Sequence, residues 1–368
     1  MKVLFCTNVF EKVSNGPAKF AHLLLHEAEA CGFEVHILTE DISSEIPAIH
    51  KLELHIPASL QLFSQFIRMW KYHKRAMSLR HQFRFNVIVY NNAFIGLISS
   101  IFFKPTVGMI NDDNNALRSF RSVWVKRSSL NKHVFFYQLE YLACRWMKRI
   151  IVNSGYLENT LSKQYGKEKN KFRLLYKGIE DTLVETNRKE LIRNKEARSI
   201  LFVKTDFKRG GLLILIEALK LLNTSLKFYI VGPDKSHHLF LQEQLKDARI
   251  EFEIYDYLSQ SRVYELMKCS EIFCVPSYLE AFGVANLEAM ALGCKIVSTN
   301  VGGIPEAINN STFAWLVEPG NVSQLKDALS EAFVTSIEDD LANIDEHLKN
   351  FKSSVVVSRF KIILEECL

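Results

Sequence analysis

Two carboxylates eight residues apart, Glu280 and Glu288, bracket the run Ala281-Phe282-Gly283-Val284-Ala285-Asn286-Leu287. The apolar run ending at Val275-Pro276-Ser277 reads as a buried strand, which leaves Glu280 in the loop beyond it. Strong helix formers (Ala285, Leu287, Glu288, Ala289, Met290, Ala291, Leu292) then start a helix at the Phe282-Gly283 turn. Gly283 at that start lets backbone N–H groups approach an anion closely, and the helix dipole favours negative charge there. A diphosphate suits such a place, with Phe282, Gly283, Val284 and Ala285 as its neighbours. Glu280 and Glu288 would flank it and accept hydrogen bonds from hydroxyls, as sugar and ribose recognition demand. The bland alternative is an ordinary strand–helix crossover with surface glutamates.

The spacing E-A-F-G-V-A-N-L-E resembles the signature of glycosyltransferase family 4, and EAMALGCKIVSTNVGGIPE continues the match through Gly302-Gly303-Ile304-Pro305-Glu306. The resemblance spans nearly the whole chain, more weakly at the front. It implies two Rossmann-like doubly wound α/β domains facing a cleft (the GT-B fold). It also implies transfer of a sugar from a nucleotide diphosphate donor with retention of configuration and without a metal ion. Residues 201–218 (LFVKTDFKRGGLLILIEA) resemble the first strand and helix of the nucleotide-binding domain, where an Arg and a Lys five apart hold the donor diphosphate. Lys204 and Arg209 take those places, the two cation types exchanged; a shift of one residue would promote Lys208 instead. Solvated loop charges are the plainer account of the same residues. Asn15-Gly16 resembles a glycine-rich loop over the donor phosphates, although Pro17 replaces a second glycine and Asn-Gly-Pro is also simply a good turn. Residues 150–154 and 174–180 resemble the closing strands of the N-terminal domain. One departure stands out. The family commonly places a His after the strand corresponding to Thr106–Ile110, and here Asn111-Asp112-Asp113 follows it. Either acceptor recognition is reorganised around Asn111 and Asp112, or activity is altered. His237-His238 reads as an exposed loop pair rather than a substitute.

The sequence itself contains no D-x-D, the motif that would hold Mg²⁺ or Mn²⁺ on a diphosphate. Cations and helix dipoles would then have to stabilise the leaving group. On this reading Lys204, Arg209 and the N–H groups near Gly283 meet the departing diphosphate. Glu280 orients the donor sugar, Glu288 holds the ribose, and no cofactor or metal is required.

The elements that must position these residues are legible as alternating strands and helices. Strands are expected at residues 2–6, 33–39, 86–90, 106–110 and 149–153, with a helix over 18–31 closed by Gly32. Residues 178–198 turn polar and charged and read as the interdomain connection and the entrance to the second domain. Beyond them strands are expected at 199–204, 227–231, 251–255, 272–276, 295–298 and 314–317. Helices are expected at 212–222, 261–269, 284–292 and 323–333. Two doubly wound halves follow, with a ligand cleft between them as the default. The expected division is an N-terminal acceptor domain (1–180), a C-terminal nucleotide-sugar domain (181–345), and a last helix (346–368) packing back on the N-terminal domain.

Length and composition fit this division. A chain of 368 residues exceeds one ordinary domain, and an apolar fraction of 48% supports sizeable cores. Seven scattered cysteines without a C-x-x-C pair favour a reducing cytosol over zinc or a secreted disulfide framework. No apolar run approaches the roughly 20 residues of a membrane span, so a cytoplasmic, at most peripheral, protein is expected. The net charge of +5 is concentrated: between Glu53 and Glu140 the only acids are Asp112 and Asp113. Within that stretch residues 60–84 interleave Phe63, Phe66, Ile67, Trp70 and Met77 with Arg68, Lys71 and Arg75. This helix would either dock on anionic lipid at the inner face of the membrane or pack on its own domain with a solvated basic face. Nucleic-acid binding has no recognition motif to support it. The expected partners are a nucleotide-sugar and a glycan or lipid-linked acceptor, by analogy in bacterial surface polysaccharide or lipopolysaccharide assembly. Two other classes remain open: a catalytically silent scaffold of a polysaccharide assembly complex, or another enzyme of the same fold, such as an epimerase or phosphorylase.

Overall fold

The computed structural model describes residues 1–11, 16–44, 46–113, 130–246, 249–308 and 313–368. The chain forms two compact units, Met1–Gly178 with Ser353–Leu368, and Ile179–Lys352.

The first unit holds seven strands: β1 (Lys2–Thr7), β2 (Glu34–Thr39), β3 (Ile49–Lys51), β4 (Val87–Tyr90), β5 (Thr106–Ile110), β6 (Arg149–Val152) and β7 (Phe172–Leu174). They pair in parallel in the order β3-β2-β1-β4-β5-β6-β7. A parallel sheet must be covered on both faces, which is why its strands read as near-continuous apolar runs. Along β1 the side chains alternate between two cores. Leu4 and Cys6 join Tyr72, Ala76 and Leu79 of the helix Ser64–Phe83. Val3 and Phe5 join Phe20 and Leu24 of the helix Gly16–Glu27, with Phe360 and Leu364 of the final helix Ser353–Glu365. Phe5, Phe20 and Phe360 pack with ring centroids 5.5–6.4 Å apart, so the end of the chain completes the core beneath its beginning.

The second unit repeats the plan with β8 (Glu196–Val203), β9 (Leu226–Val231), β10 (Ile250–Tyr255), β11 (Ser270–Val275), β12 (Lys295–Thr299) and β13 (Ala314–Val317). Their order is β10-β9-β8-β11-β12-β13, again parallel throughout. Helices Leu212–Leu222, His238–Leu245, Gln260–Cys269 and Val284–Ala291 connect strands, and Val322–Val334 follows the last of them. In each unit the strand order reverses once, between β1 and β4 and between β8 and β11. Such switch points open a crevice at the carboxyl ends of the strands.

The short strand β3 escapes the sequence pattern because three residues carry too little alternation to register, and the closing strand expected at 174–180 lies instead at Phe172–Leu174. Residues 178–198 open the second unit, as expected, but with helices rather than an irregular linker. They form the helices Asp181–Val184 and Arg188–Arg193 and belong almost wholly to the second unit. Arg188 is buried there, paired with Asp345 and donating to the carbonyls of Val184 at 2.9 Å and Ala291 at 3.3 Å. Arg188 therefore serves internal hydrogen bonds, which composition alone does not separate from the exposed charges around it, Glu185, Lys189, Glu190 and Arg193 among them. Among the described residues no helix is long and apolar enough to cross a membrane.

Candidate active site

In the second unit, Lys204 is the first residue beyond β8, and Pro276 and Ser277 follow β11 on the neighbouring strand. Strand register therefore sets Lys204 at the switch point, before any side-chain contact is considered. Its Nζ donates to the Glu280 carboxylate and lies 3.5 Å from Ser277 Oγ. Both side chains of this ion pair keep under a fifth of their surface exposed, 17% and 19%. Arg209 anchors the same loop, with its Nε donating to Leu279 O at 2.9 Å and its own carbonyl accepting from Tyr278 N at 2.9 Å. Burial pushes the Glu280 carboxyl up. The charges of Lys204 and Arg209, with N–H groups from Lys204 and Ala281, outweigh burial and hold it below the usual carboxylate range. Glu280 is thus a fixed anion backed by two cations.

The loop is held in place from below by glycine. Gly302 has φ +56°, and a Cβ on it would lie 1.6 Å from the Glu280 carbonyl oxygen. Only the absence of a side chain lets the loop carrying Glu280 lie against the Gly302 turn. Gly283, at φ +89°, caps the helix Val284–Ala291. Gly283, Val284 and Ala285 are half-buried, so the helix start retains access to solvent, and a first turn carries N–H groups without intrahelical acceptors. Phe282 is different. Its ring is buried and packs on Phe351 with centroids 5.9 Å apart, so only its backbone can meet a ligand.

Glu288 lies one turn into that helix, buried, and its Oε1 accepts from Tyr264 Oη at 3.1 Å. Burial, then the Glu288 and Glu180 carboxylates, push the Tyr264 hydroxyl far above the ordinary tyrosine value, so it remains a donor. Tyr264 sits on the helix Gln260–Cys269, and nothing in its sequence position singles it out. His237 and His238 are half-buried rather than exposed, His237 against the Phe207 ring and His238 near Pro233 O at 3.0 Å.

In the first unit a row of polar residues ends adjacent strands. Thr7 closes β1, Asn91 follows β4, Asn111 follows β5 and Asn153 follows β6. Asn91 Nδ2 donates to Thr7 Oγ1 at 3.2 Å, and Asn111 Nδ2 donates to Asn91 O at 2.7 Å and Oδ1 at 3.0 Å. Asn153 Nδ2 donates to Asn111 O at 2.9 Å, and Lys177 Nζ donates to Asn111 Oδ1 at 2.6 Å. Both ends of the Asn111 carboxamide are thereby occupied, so it organises the row. Asp112 is half-buried beside it, and its charge favours the charged form of Lys177. Lys177 is buried, and burial pulls its amine down to about 7 in spite of Asp112. Gly16 begins the helix Gly16–Glu27 with open space where a Cβ would stand. Asn15 lies outside the described residues. Lys204, Arg209, Glu280, Gly283 and Glu288 thus gather in one unit, and Gly16, Asn111 and Asp112 in the other. Lys177, Asn153 and Asn91 were missed; the register of the strand ends is the signal that finds them.

Two parallel doubly wound units, each with polar residues gathered at its switch point, define a protein of the GT-B class. The description "Glycosyltransferase Family 4" matches residues 14–183, and "Glycosyl transferases group 1" matches residues 184–349. The two matches abut and together span almost the whole chain, which belongs to the family 4 glycosyltransferases. Lipopolysaccharide glucosyltransferase WaaG of Escherichia coli K12 is 29% identical over 189 residues, 47% of this chain and 50% of that protein. The matched regions span about half or less of the length of the curated relatives. Among solved structures, sucrose-phosphate synthase of Thermosynechococcus elongatus superposes with TM-score 0.78 at 16% identity, covering 100% of this chain and 98% of that one. Anabaena HepE in complex with UDP and glucose superposes with TM-score 0.70 at 17% identity over 99% of each chain.

Proposed function

We propose that this chain is a retaining glycosyltransferase that moves a sugar from a nucleotide diphosphate donor to a glycan or lipid-linked acceptor, in lipopolysaccharide or other surface polysaccharide assembly. The observation that carries this reading is the Glu280 site: a partly buried carboxylate backed by Lys204 and Arg209, beside a half-buried helix N-terminus. Lys204, Arg209 and the N–H groups of the Gly283 turn offset charge growing on the leaving diphosphate. Glu280 orients the donor sugar, and Glu288, kept in place by Tyr264, accepts from ribose hydroxyls. The leaving phosphate takes the acceptor proton on the face it departs from. Two resident cations make a metal ion unnecessary in this scheme. The UDP and glucose in the HepE complex, and the lipopolysaccharide substrate named for WaaG, support the choice of donor class and setting.

We place the protein in the cytoplasm, touching the inner face of the membrane. An exposed aromatic patch supports this: Phe63, Phe66 and Trp70 of the 60–84 segment, with Phe102, are 44–70% exposed. Its cations differ from the expected face. Arg68 pairs with Glu40 at 3.0 Å, and Lys71 donates to the carbonyls of Glu53 at 3.0 Å and His55 at 3.4 Å. Met77 packs on the core, leaving Lys74, Arg80 and Arg84 as the exposed cations of this helix and its cap.

The test is nucleotide diphosphate release from UDP-, GDP- and ADP-sugars in EDTA, with a bacterial lipid extract as acceptor pool. Release from one donor, dependent on the extract and lost in Glu280→Ala, is the expected result. Silence across the panel by protein that still binds a nucleotide would instead establish the scaffolding role.

A further inference from the structure

The polar row of the first unit is incomplete. Lys177 is only 4% exposed, yet among the described residues its Nζ makes a single hydrogen bond, to Asn111 Oδ1, with the Phe20 ring 4.8 Å away. An ammonium carries three N–H groups, so two of them are buried without an acceptor. Asn153 has the opposite deficit. It is 5% exposed, and its Oδ1 is buried with no donor. Rotating the carboxamide does not cure this, because its Nδ2 must face the Asn111 carbonyl, which can only accept. Both deficits hang from the same residue, Asn111, at the carboxyl ends of β5 and β6. Buried polar groups are normally satisfied, and an orphan costs more than a made bond returns.

We propose that Lys177 and Asn153 together hold one hydroxyl group of a polyhydroxylated ligand, a sugar or cyclitol, at the carboxyl end of the first unit's sheet. A hydroxyl accepts from Lys177 and donates to Asn153 Oδ1 at once, taking the place a single water would fill in the free protein. A carboxylate or sulfate, which carries no proton to donate near neutral pH, would satisfy Lys177 and leave Asn153 Oδ1 orphaned. Asn111 positions both partners, one through its Oδ1 and the other through its backbone carbonyl. Calling the ligand the acceptor of sugar transfer rests on the reading of the function above; the binding of a polyol does not.

The probes are methyl α-glycosides of glucose, galactose, mannose and N-acetylglucosamine, with myo-inositol, and inorganic sulfate as the competing anion. Binding to the full chain is measured by ligand-observed NMR and calorimetry, for wild type, Lys177→Met and Asn153→Leu, with folding checked by thermal unfolding. At least one polyol should bind wild type and weaken tenfold or more in each variant, with sulfate failing to displace it. If Lys177→Met does not fold, Asn153→Leu, which removes the acceptor for the hydroxyl proton, carries the readout. The proposal is overturned if no polyol binds wild type, if sulfate displaces the polyol, or if affinity is unchanged in the variants. Because no turnover is measured, a silent donor assay with intact polyol binding rejects the transferase alone. Release of nucleotide with no polyol binding rejects this site alone.

Discussion

Lys177→Met should stabilise the protein near neutral pH and lose that advantage in alkali. The amine is pulled down to about 7 from its ordinary 10.5, because burial disfavours the ammonium more than Asp112 favours it. At 1.36 kcal/mol per pH unit, that interval corresponds to about 5 kcal/mol of cost for burying the charged form. The sign follows from proton counts. Between pH 7 and 10.5 the unfolded chain keeps the Lys177 proton while the folded chain releases it, so stability rises with pH across this window. Below pH 7 both states are protonated and the full cost is present without a slope. Methionine carries no proton, so the variant lacks this rise. It also leaves Asn111 Oδ1 without its donor, a loss of about 1–3 kcal/mol that does not depend on pH. The variant should therefore be more stable than wild type by about 2–4 kcal/mol at pH 6.5, and equal or less stable near pH 10. Urea unfolding followed by tryptophan fluorescence reads this. Trp70 and Trp146 lie in the first unit, and a Trp315→Phe background removes the second unit's reporter. Parallel stability curves for the two proteins from pH 6 to 10 would mean that Lys177 titrates normally, and the argument from burial would fall.

Three further outcomes follow from the second unit. Glu280→Gln, which keeps the shape and removes the charge facing Lys204 and Arg209, should lower turnover by at least about tenfold, or 1.4 kcal/mol; turnover near wild type would remove Glu280 from the chemistry. Its dependence on acid should be shifted as well: with the carboxyl held below the usual range, the ion pair's contribution is complete above the unfolded value and is lost only as pH falls through the lower folded one, so donor binding should persist below pH 4.5. Glu288→Ala should weaken nucleotide binding by about 10- to 100-fold, the worth of one or two hydrogen bonds to a charged group, and Tyr264→Phe by only a few-fold; calorimetry with UDP checks both, and an unchanged Kd in Glu288→Ala would sink the ribose assignment. Gly302→Ala should destabilise the second unit by more than about 1 kcal/mol and depress turnover further than stability alone explains, because φ +56° and the contact with Glu280 O both oppose a Cβ; normal turnover in a folded Gly302→Ala protein would show that this turn does not fix the loop.

The residues of the second unit were legible because their chemistry lies within one short window. Glu280, Gly283 and Glu288 belong to a single strand–turn–helix, so spacing along the chain is also spacing in space. Lys204 could be placed beside them because it ends a strand whose apolar run is unbroken. The same logic hides the first unit's row. Thr7, Asn91, Asn111, Asn153 and Lys177 come from five separate strand ends, and each looks like an ordinary polar residue closing an apolar run. Only register converts them into neighbours: Cys6 beside Tyr90, Tyr90 beside Gly108, Ile110 beside Val152. Register also changes what Asn111 means. Taken singly it is a missing histidine, and thus an argument for lost activity. Taken with its neighbours it is the hinge between a buried lysine short of acceptors and a buried carboxamide short of a donor. Its loss of imidazole is then accompanied by a cation one contact further out. Whether a site has been dismantled or rebuilt is therefore decided by the polar groups around the altered residue, and here those groups are arranged to receive a hydroxyl.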